Sequence, residues 1–193
     1  AGVPFLGTEL IARLDQTEAE LLIISPYFIP RGIGMESIAV LRARGVRVAV
    51  LTNSLAATDV IAVHSSYAPY RRPLLEAGVE LWELRPLAGQ QERASTFYAR
   101  RLLFIGSINL DPRSMNLNTE AGVLVEQPEL AQEAAALFGL WTEPSHAFRV
   151  RLADRSGLRW EAEGETATQE PDASWVRRLV SRLIALLPVE SQM

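Results

Sequence analysis

"RASTFYARRLLFIGSINLDPRSMNLNTE", Arg93 to Glu120, is the stretch on which the fold turns. Its middle, "RRLLFIGS", is an apolar run that ends in Gly-Ser, the pattern of a buried strand entering a polar loop. Gly106 has no Cβ, so the backbone can approach a ligand closely there. Ser107 and Asn109 lie two residues apart, which puts both side chains on one face of an extended chain. A hydroxyl and an amide on one face can donate hydrogen bonds to phosphate oxygens. Gly-Ser-x-Asn is short, and ordinary turns also supply it. No nucleophile is visible beside it.

Outward from this stretch, strand-like and helix-like patterns alternate. Gly7 to Glu20 carries apolar residues at helical spacing, and Leu21 to Phe28 ("LLIISPYF") is a short apolar run ending near Pro26. Arg31 to Gly45 reads as a helix closed by glycine, and "VRVAVLT" after it as a buried strand. Thr58 or Asp59 can cap a helix from Val60 to Ala77, which Pro69 and Pro73 should kink or break. Val79 to Leu84 is the next strand, Glu120 to Glu126 another, and Gln127 to Trp141 a helix opened by Pro128. Strands alternating with helices predict an α/β fold, with a mixed or mostly parallel central sheet flanked by helices. The composition changes after Pro144. A first unit should cover residues 1–143, and residues 144–193 should add a β-hairpin turning at Asp154–Gly157 and an amphipathic helix.

The 193 residues are 48% hydrophobic and 22% charged, enough to bury a substantial core. No apolar run reaches the ~18 residues of a membrane span. Cysteine is absent, which excludes disulfides and thiolate metal sites in this chain. The formal net charge of −4 argues against broad nucleic-acid binding, and no nucleic-acid partner is expected. All 19 basic residues are Arg. The opening "AGVPFLGTEL" has neither an initiator Met nor a signal segment, and suggests a fragment of a longer protein.

"GSINLDPRSMNLNTEAGVLVE" after an apolar strand resembles the phospholipase D superfamily, whose motif is His-x-Lys, four residues, Asp, six residues, Gly-Ser-x-Asn. The stretch from Leu21 to Pro86, "LNTEAG" and the "ALLPVE" ending are similar to the C-terminal half of bacterial cardiolipin synthases of that superfamily. The resemblance implies two halves about a pseudo-twofold axis, with a phospholipid substrate between them and an N-terminal phospholipase-D-like half as partner. It implies a phosphohistidine intermediate, a second His that protonates the leaving alcohol, and no metal or other cofactor. Charge on the transferring group would be neutralised by Lys and Asn. It also implies a peripheral position on the cytoplasmic face of the bacterial inner membrane. By position, Ser107 and Asn109 match the motif. Glu120 matches the acidic residue that orients a catalytic imidazole.

The chain departs from the motif at its centre. Neither His64 nor His146 is followed two residues later by Lys, and there is no Lys at all. Laid on without gaps, the motif's His, Lys and Asp fall on Glu92, Ala94 and Ala99. With gaps, Thr96–Ala99 and Arg100–Ile105 match the two spacers, and inserting His-x-Lys before Thr96 and Asp before Arg100 restores the pattern. Either residues of the natural polypeptide are missing at these points, or the half-site is defective. Drift substitutes such residues more often than it excises them, which favours the first.

Other candidates have a bland alternative each. His64, with Tyr67, Tyr70 and Arg71, either rims a headgroup site or is a structural His on an amphipathic helix. Arg113 and Ser114 either clamp a phosphate or anchor the Asp111–Pro112 turn. Tyr27 either edges the site or is structural. The Trp175–Leu187 helix, with Arg177, Arg178 and Arg182, either lies on a membrane surface or closes the core. A non-catalytic domain that binds headgroups, and a nuclease of the same superfamily, are the rival functions. The acidic balance and the synthase-like flanks disfavour the nuclease.

Overall fold

A computed structural model describes residues 6–86, 95–99, 101–153 and 157–186. Among the described residues nine strands form one mixed sheet, in the order β6-β5-β4-β1-β2-β3-β7-β8-β9. Its centre is β1 (Glu20–Ile24), β2 (Arg47–Asn53) and β3 (Glu80–Leu84), paired in parallel. On one side follow β4 (Ser95–Ala99), β5 (Leu102–Gly106) and β6 (Gly122–Glu126), and on the other β7 (Ala147–Leu152), β8 (Leu158–Ala162) and β9 (Glu165–Ala167), all antiparallel to their neighbours. The parallel part is therefore the core of the sheet and the antiparallel part its two wings.

Side-chain alternation along the strands builds two cores. Leu21 and Ile23 of β1, with Val48 and Val50 of β2, face α1 (Leu6–Leu14), α2 (Gly32–Ala43), α3 (Ile61–Tyr67) and α4 (Arg71–Glu76). Leu22, Ile24, Ala49 and Leu51 face the other way, against α6 (Pro128–Trp141), where Phe138 meets Trp82 edge-on. A short α5 (Pro112–Asn116) follows β5, and α7 (Trp175–Ile184) packs on α3. Residues after Pro144 join the same sheet through β3 and β7.

Most expected elements are present, with instructive shifts. The helix expected over Val60–Ala77 is broken into α3, a 3-10 turn at Ala68–Tyr70 and α4, because Pro69 and Pro73 lack the N–H a continuous ladder needs. Its cap is Val60, not Thr58 or Asp59; Thr58 Oγ1 instead accepts from Val60 N at 3.3 Å. Gly45 closes α2 with φ +81°. The β7–β8 hairpin forms, though residues 154–156 of its turn lie outside the described residues.

A strand absent from the sequence reading is β4. It pairs with β5 from Ser95 opposite Gly106 to Ala99 opposite Leu102. Ser95 and Thr96 both lie within this strand, at its start. The second suspected gap, before Arg100, adjoins a residue outside the described ones.

One buried polar cluster ties the β7–β9 wing to the centre. Arg71 donates from Nε to Glu83 Oε1 (2.6 Å) and from Nη1 to Glu170 Oε1 (2.6 Å), and its Nη2 lies 2.9 Å from His64 Nε2. Tyr67 Oη and Trp160 Nε1 each donate to Glu83 at 2.9 Å. His64 is only 2% exposed, so it is a structural residue of this cluster and not a rim residue. Burial pushes the Glu170 carboxyl up, but Arg71 and His64 more than offset this and hold it at about 2. A depressed carboxylate stabilises the fold fully above its unfolded value, near 4.5, and loses that stabilisation as pH falls towards 2. The predicted contribution is roughly 3 kcal/mol. Urea unfolding at pH 6 and pH 3 should show a steep acid loss in the native chain, and a smaller one in Glu170→Gln.

Candidate phosphate-binding site

The strand β5 delivers Gly106 and Ser107 to the same end of the sheet at which β1 ends and β4 begins. Gly106 is directly opposite Gly122 on β6. A Cβ on Gly106 would come within 2.6 Å of both Ala121 O and Phe104 Cζ, and within 2.8 Å of Gly122 Cα. The glycine is therefore required by strand pairing under the Phe104 ring, a tighter demand than ligand approach. Gly106→Ala should cost about 1–3 kcal/mol through overpacking, read as a lowered urea midpoint.

Beyond Gly106, buried Ile108 separates Ser107 from Asn109. Ser107 Oγ donates to Glu120 Oε2 at 2.5 Å and accepts from Ala121 N at 3.1 Å. Ser114, 3% exposed, donates from Oγ to Glu120 Oε1 (2.5 Å) and accepts from Asn109 N (2.8 Å). Asn118 Nδ2 adds a third donor to Glu120, at 3.1 Å. Burial pushes the Glu120 carboxyl up, yet the hydrogen bonds from Ser107, Ser114 and Asn118 outweigh it and lower its pKa. Each carboxylate oxygen accepts two bonds, so Oε2 retains a lone pair for an outside N–H or O–H donor.

Asp111 caps α5 by accepting from Arg113 N (3.0 Å) and Ser114 N (2.9 Å). This fixes Ser114 as the loop's anchor. Arg113 is exposed and donates from Nε to Asn118 Oδ1 at 3.3 Å, beside the Glu120 group. Tyr27 is drawn elsewhere: its hydroxyl donates to Asp59 Oδ1 at 2.8 Å. His146 lies 3.0 Å from Ser145 Oγ through Nδ1 and does not belong to this network.

The residue that sequence reasoning missed is Ser95. It is fully buried, donates to Asn109 Oδ1 at 3.1 Å, and lies 3.1 Å from Ser25 Oγ. This bond orients the Asn109 amide so that Nδ2 is offered on its other side. Ser95 immediately precedes the four-residue spacer Thr96–Ala99, the slot that the motif gives to Lys. Ser95 takes this slot only in the gapped alignment, in which the Asp before Arg100 is absent. The signal was available in the spacing, but a slot occupied by the wrong residue type was read as empty.

With this geometry in place, the comparisons with known proteins are direct. The family described as "Cardiolipin synthase, PLD-like domain" matches residues 10–141. The chain belongs to this phospholipase-D-like family. It is 38% identical to "Cardiolipin synthase C" of Escherichia coli (strain K12), over 87% of this chain and 40% of that protein. It is 28% identical to "Cardiolipin synthase A" of Buchnera aphidicola, over 64% of this chain and 24% of that protein. The chain thus spans at most about two-fifths of these relatives. Among solved structures, Nuc from Salmonella typhimurium, a phospholipase D family member, superposes with a TM-score of 0.62 at 15% identity, covering 75% of this chain and 90% of that one. Phosphatidylserine synthase of Haemophilus influenzae gives 0.61 at 20% identity, over 77% and 38%. Both share the mixed sheet flanked by helices.

Proposed function

We propose that this chain is the C-terminal half of a phospholipase-D-type phosphatidyltransferase, similar to cardiolipin synthases and acting on anionic phospholipids. The observation that carries this is the Ser107–Glu120–Ser114–Asn109 network built around the family's Gly-Ser-x-Asn. In this reading Ser107, the Asn109 amide and the Arg113 fork receive the phosphodiester oxygens, and Glu120 Oε2 takes an imidazole N–H from the N-terminal half. That imidazole attacks phosphorus as the bond to the leaving glycerol oxygen breaks. The family mechanism would have a second imidazole return a proton to that oxygen. Neither His64 nor His146 is placed to supply either one.

Two further features support a longer protein around this half. Ile105, Leu117 and Val123 are exposed apolar residues flanking the site. Edge strand β6 is exposed along nearly its whole length, which suits burial against the N-terminal half. A second reading has a specific observation in its favour. Ser95 in the Lys slot removes a cation, so this half could bind the headgroup while its partner half carries all the chemistry.

In the full-length protein, Asn109→Ala should lower phosphatidyl transfer about a hundredfold, as loss of one preorganised donor does. An unchanged rate would leave only the headgroup-independent, supporting role. The chain alone, mixed with phosphatidylglycerol, should give no covalent phosphoprotein in mass spectrometry. A phosphohistidine at His64 or His146 would overturn this assignment.

The position of the enzyme at the membrane is part of the proposal. Among the described residues no helix is long and apolar enough to cross a bilayer. Helix α7, however, is turned inside out. Trp175 (73% exposed), Val176, Leu179, Leu183 and Leu186 point away from the domain, on one helical stripe. Its polar side faces inward: Arg177 donates to the carbonyls of Leu55 and Thr58, Arg178 to that of Glu170, and Ser181 meets Ser65. An apolar stripe led by Trp, on a helix with three Arg and no acidic residue, suits the interface of an anionic bilayer on the cytoplasmic face. Arg177 and Arg178 are committed inward, so Arg182 alone should add about 1 kcal/mol of electrostatic attraction. Trp175 fluorescence should shift blue with anionic vesicles and depend only weakly on salt. Leu183→Glu should abolish the shift.

A further inference from the structure

An apolar groove lies beside the motif loop, outside the Ser107–Glu120–Ser114 network just described. It has a volume of about 230 Å3 and lies between α1 and α2 over β1. Leu110 and Met115 line it at the motif end, and Ile23, Ile38, Leu14 and Leu21 carry it along the strand. Leu110 is the residue after Asn109, and it is held to the β1 loop by its bridge to Phe28 and by Ile29 N donating to Leu110 O at 2.6 Å. The two carboxylates in the lining are Asp111 and Asp15. The first is occupied in capping α5.

We propose that this groove takes an acyl chain of the phospholipid whose phosphate sits at Ser107 and Asn109. The inference rests on the phosphate reading given above. Cavities lined by Leu and Ile remain dry and bind apolar molecules, so a groove of this lining selects a hydrocarbon over a polar ligand. At the ~30 Å3 share of a water-sized group, it has room for roughly eight methylenes. Its lining reaches from Leu110 in the loop after β5 to Leu21 on β1. The covalent link between phosphate and acyl chain in a glycerophospholipid matches the continuity of the motif loop with the groove mouth. A protein segment would bring backbone N–H and C=O groups that this lining cannot pair.

The test uses the chain as it stands and three probes: dioctanoyl-phosphatidylglycerol below its micellar range, glycerophosphoglycerol, and decanoate. Isotope-labelled isoleucine methyls provide a readout independent of any variant. Ile11, Ile23, Ile29 and Ile38 line the groove, whereas Ile24 and Ile61 do not. Dioctanoyl-phosphatidylglycerol should shift the first set and bind at least tenfold more tightly than glycerophosphoglycerol. Ser37→Phe, which fills the groove from α2, should remove that factor and the methyl shifts. Equal affinity for the two phosphodiesters, or shifts confined to Ile24 and Ile61, would overturn the inference. So would self-association that Ser37→Phe abolishes with no acyl effect, since the occupant would then be a second copy. Groove shifts with decanoate, but no binding of glycerophosphoglycerol, would uphold the acyl site and overturn the phosphate reading.

Discussion

The Arg71 guanidinium, buried between two carboxylates, is the interaction on which the other layers depend. A single planar fork reaches Glu83 on β3 and Glu170 in the segment before α7, and meets His64 of α3. Trp160 of β8 joins through Glu83, so four separate parts of the chain converge on one cation. Burying Arg71 is unfavourable, and Glu83 and Glu170 outweigh that cost and raise its pKa further. Removing one member would leave the others as uncompensated buried charges, which is far costlier than never having built the cluster. Strands β7 to β9 and the segment around Glu170 are consequently fastened to the sheet.

Fastening explains the orientation of α7. An amphipathic helix ordinarily turns its apolar stripe inward. Here the carbonyls of Leu55, Thr58 and Glu170 need donors, and Arg177 and Arg178 supply them. Each Arg head engages backbone, and the apolar stripe is left on the outside as a consequence. The periodicity of "WVRRLVSRLI" revealed the stripe but not its direction. A helical pattern fixes which residues share a face, whereas what the face meets is decided largely by acceptors elsewhere, two of them more than a hundred residues away.

The same division between local and distant information runs through the site. Ser107 and Asn109 could be read from spacing, because a strand followed by a polar loop presents them together, whereas Glu120 came only from the family resemblance. The fold class was legible as well, through the alternation of apolar runs with amphipathic stretches. Strand β4 was not: "STFYA" is short, and its partners on β1 and β5 are what make it a strand. The importance of Ser95 was hidden for the same reason, since its value lies in meeting Asn109 and Ser25 across two strands. Gly106 shows the reverse case. Spacing pointed to Gly106 for ligand approach, while Phe104 and the facing Gly122 add a packing reason that only the register discloses.

The two faces of the sheet have different tasks. On one, α6 covers a self-contained core in which Trp82 and Phe138 meet. On the other lie α1, α2, α3 and α4, with the groove between the first two and α7 laid over the third. The groove and the α7 stripe belong to one side of the sheet, and the Gly-Ser-x-Asn loop stands at its end. A lipid entering from a bilayer on that side would bring its phosphate to Asn109 without crossing the sheet. The outer side of α6 is mixed, with exposed Glu129 and Glu133 beside exposed Leu130, Leu137 and Leu140 over buried Ala131, Ala134 and Phe138. An apolar residue placed on that outer face should leave lipid binding unchanged, whereas filling the groove side should not.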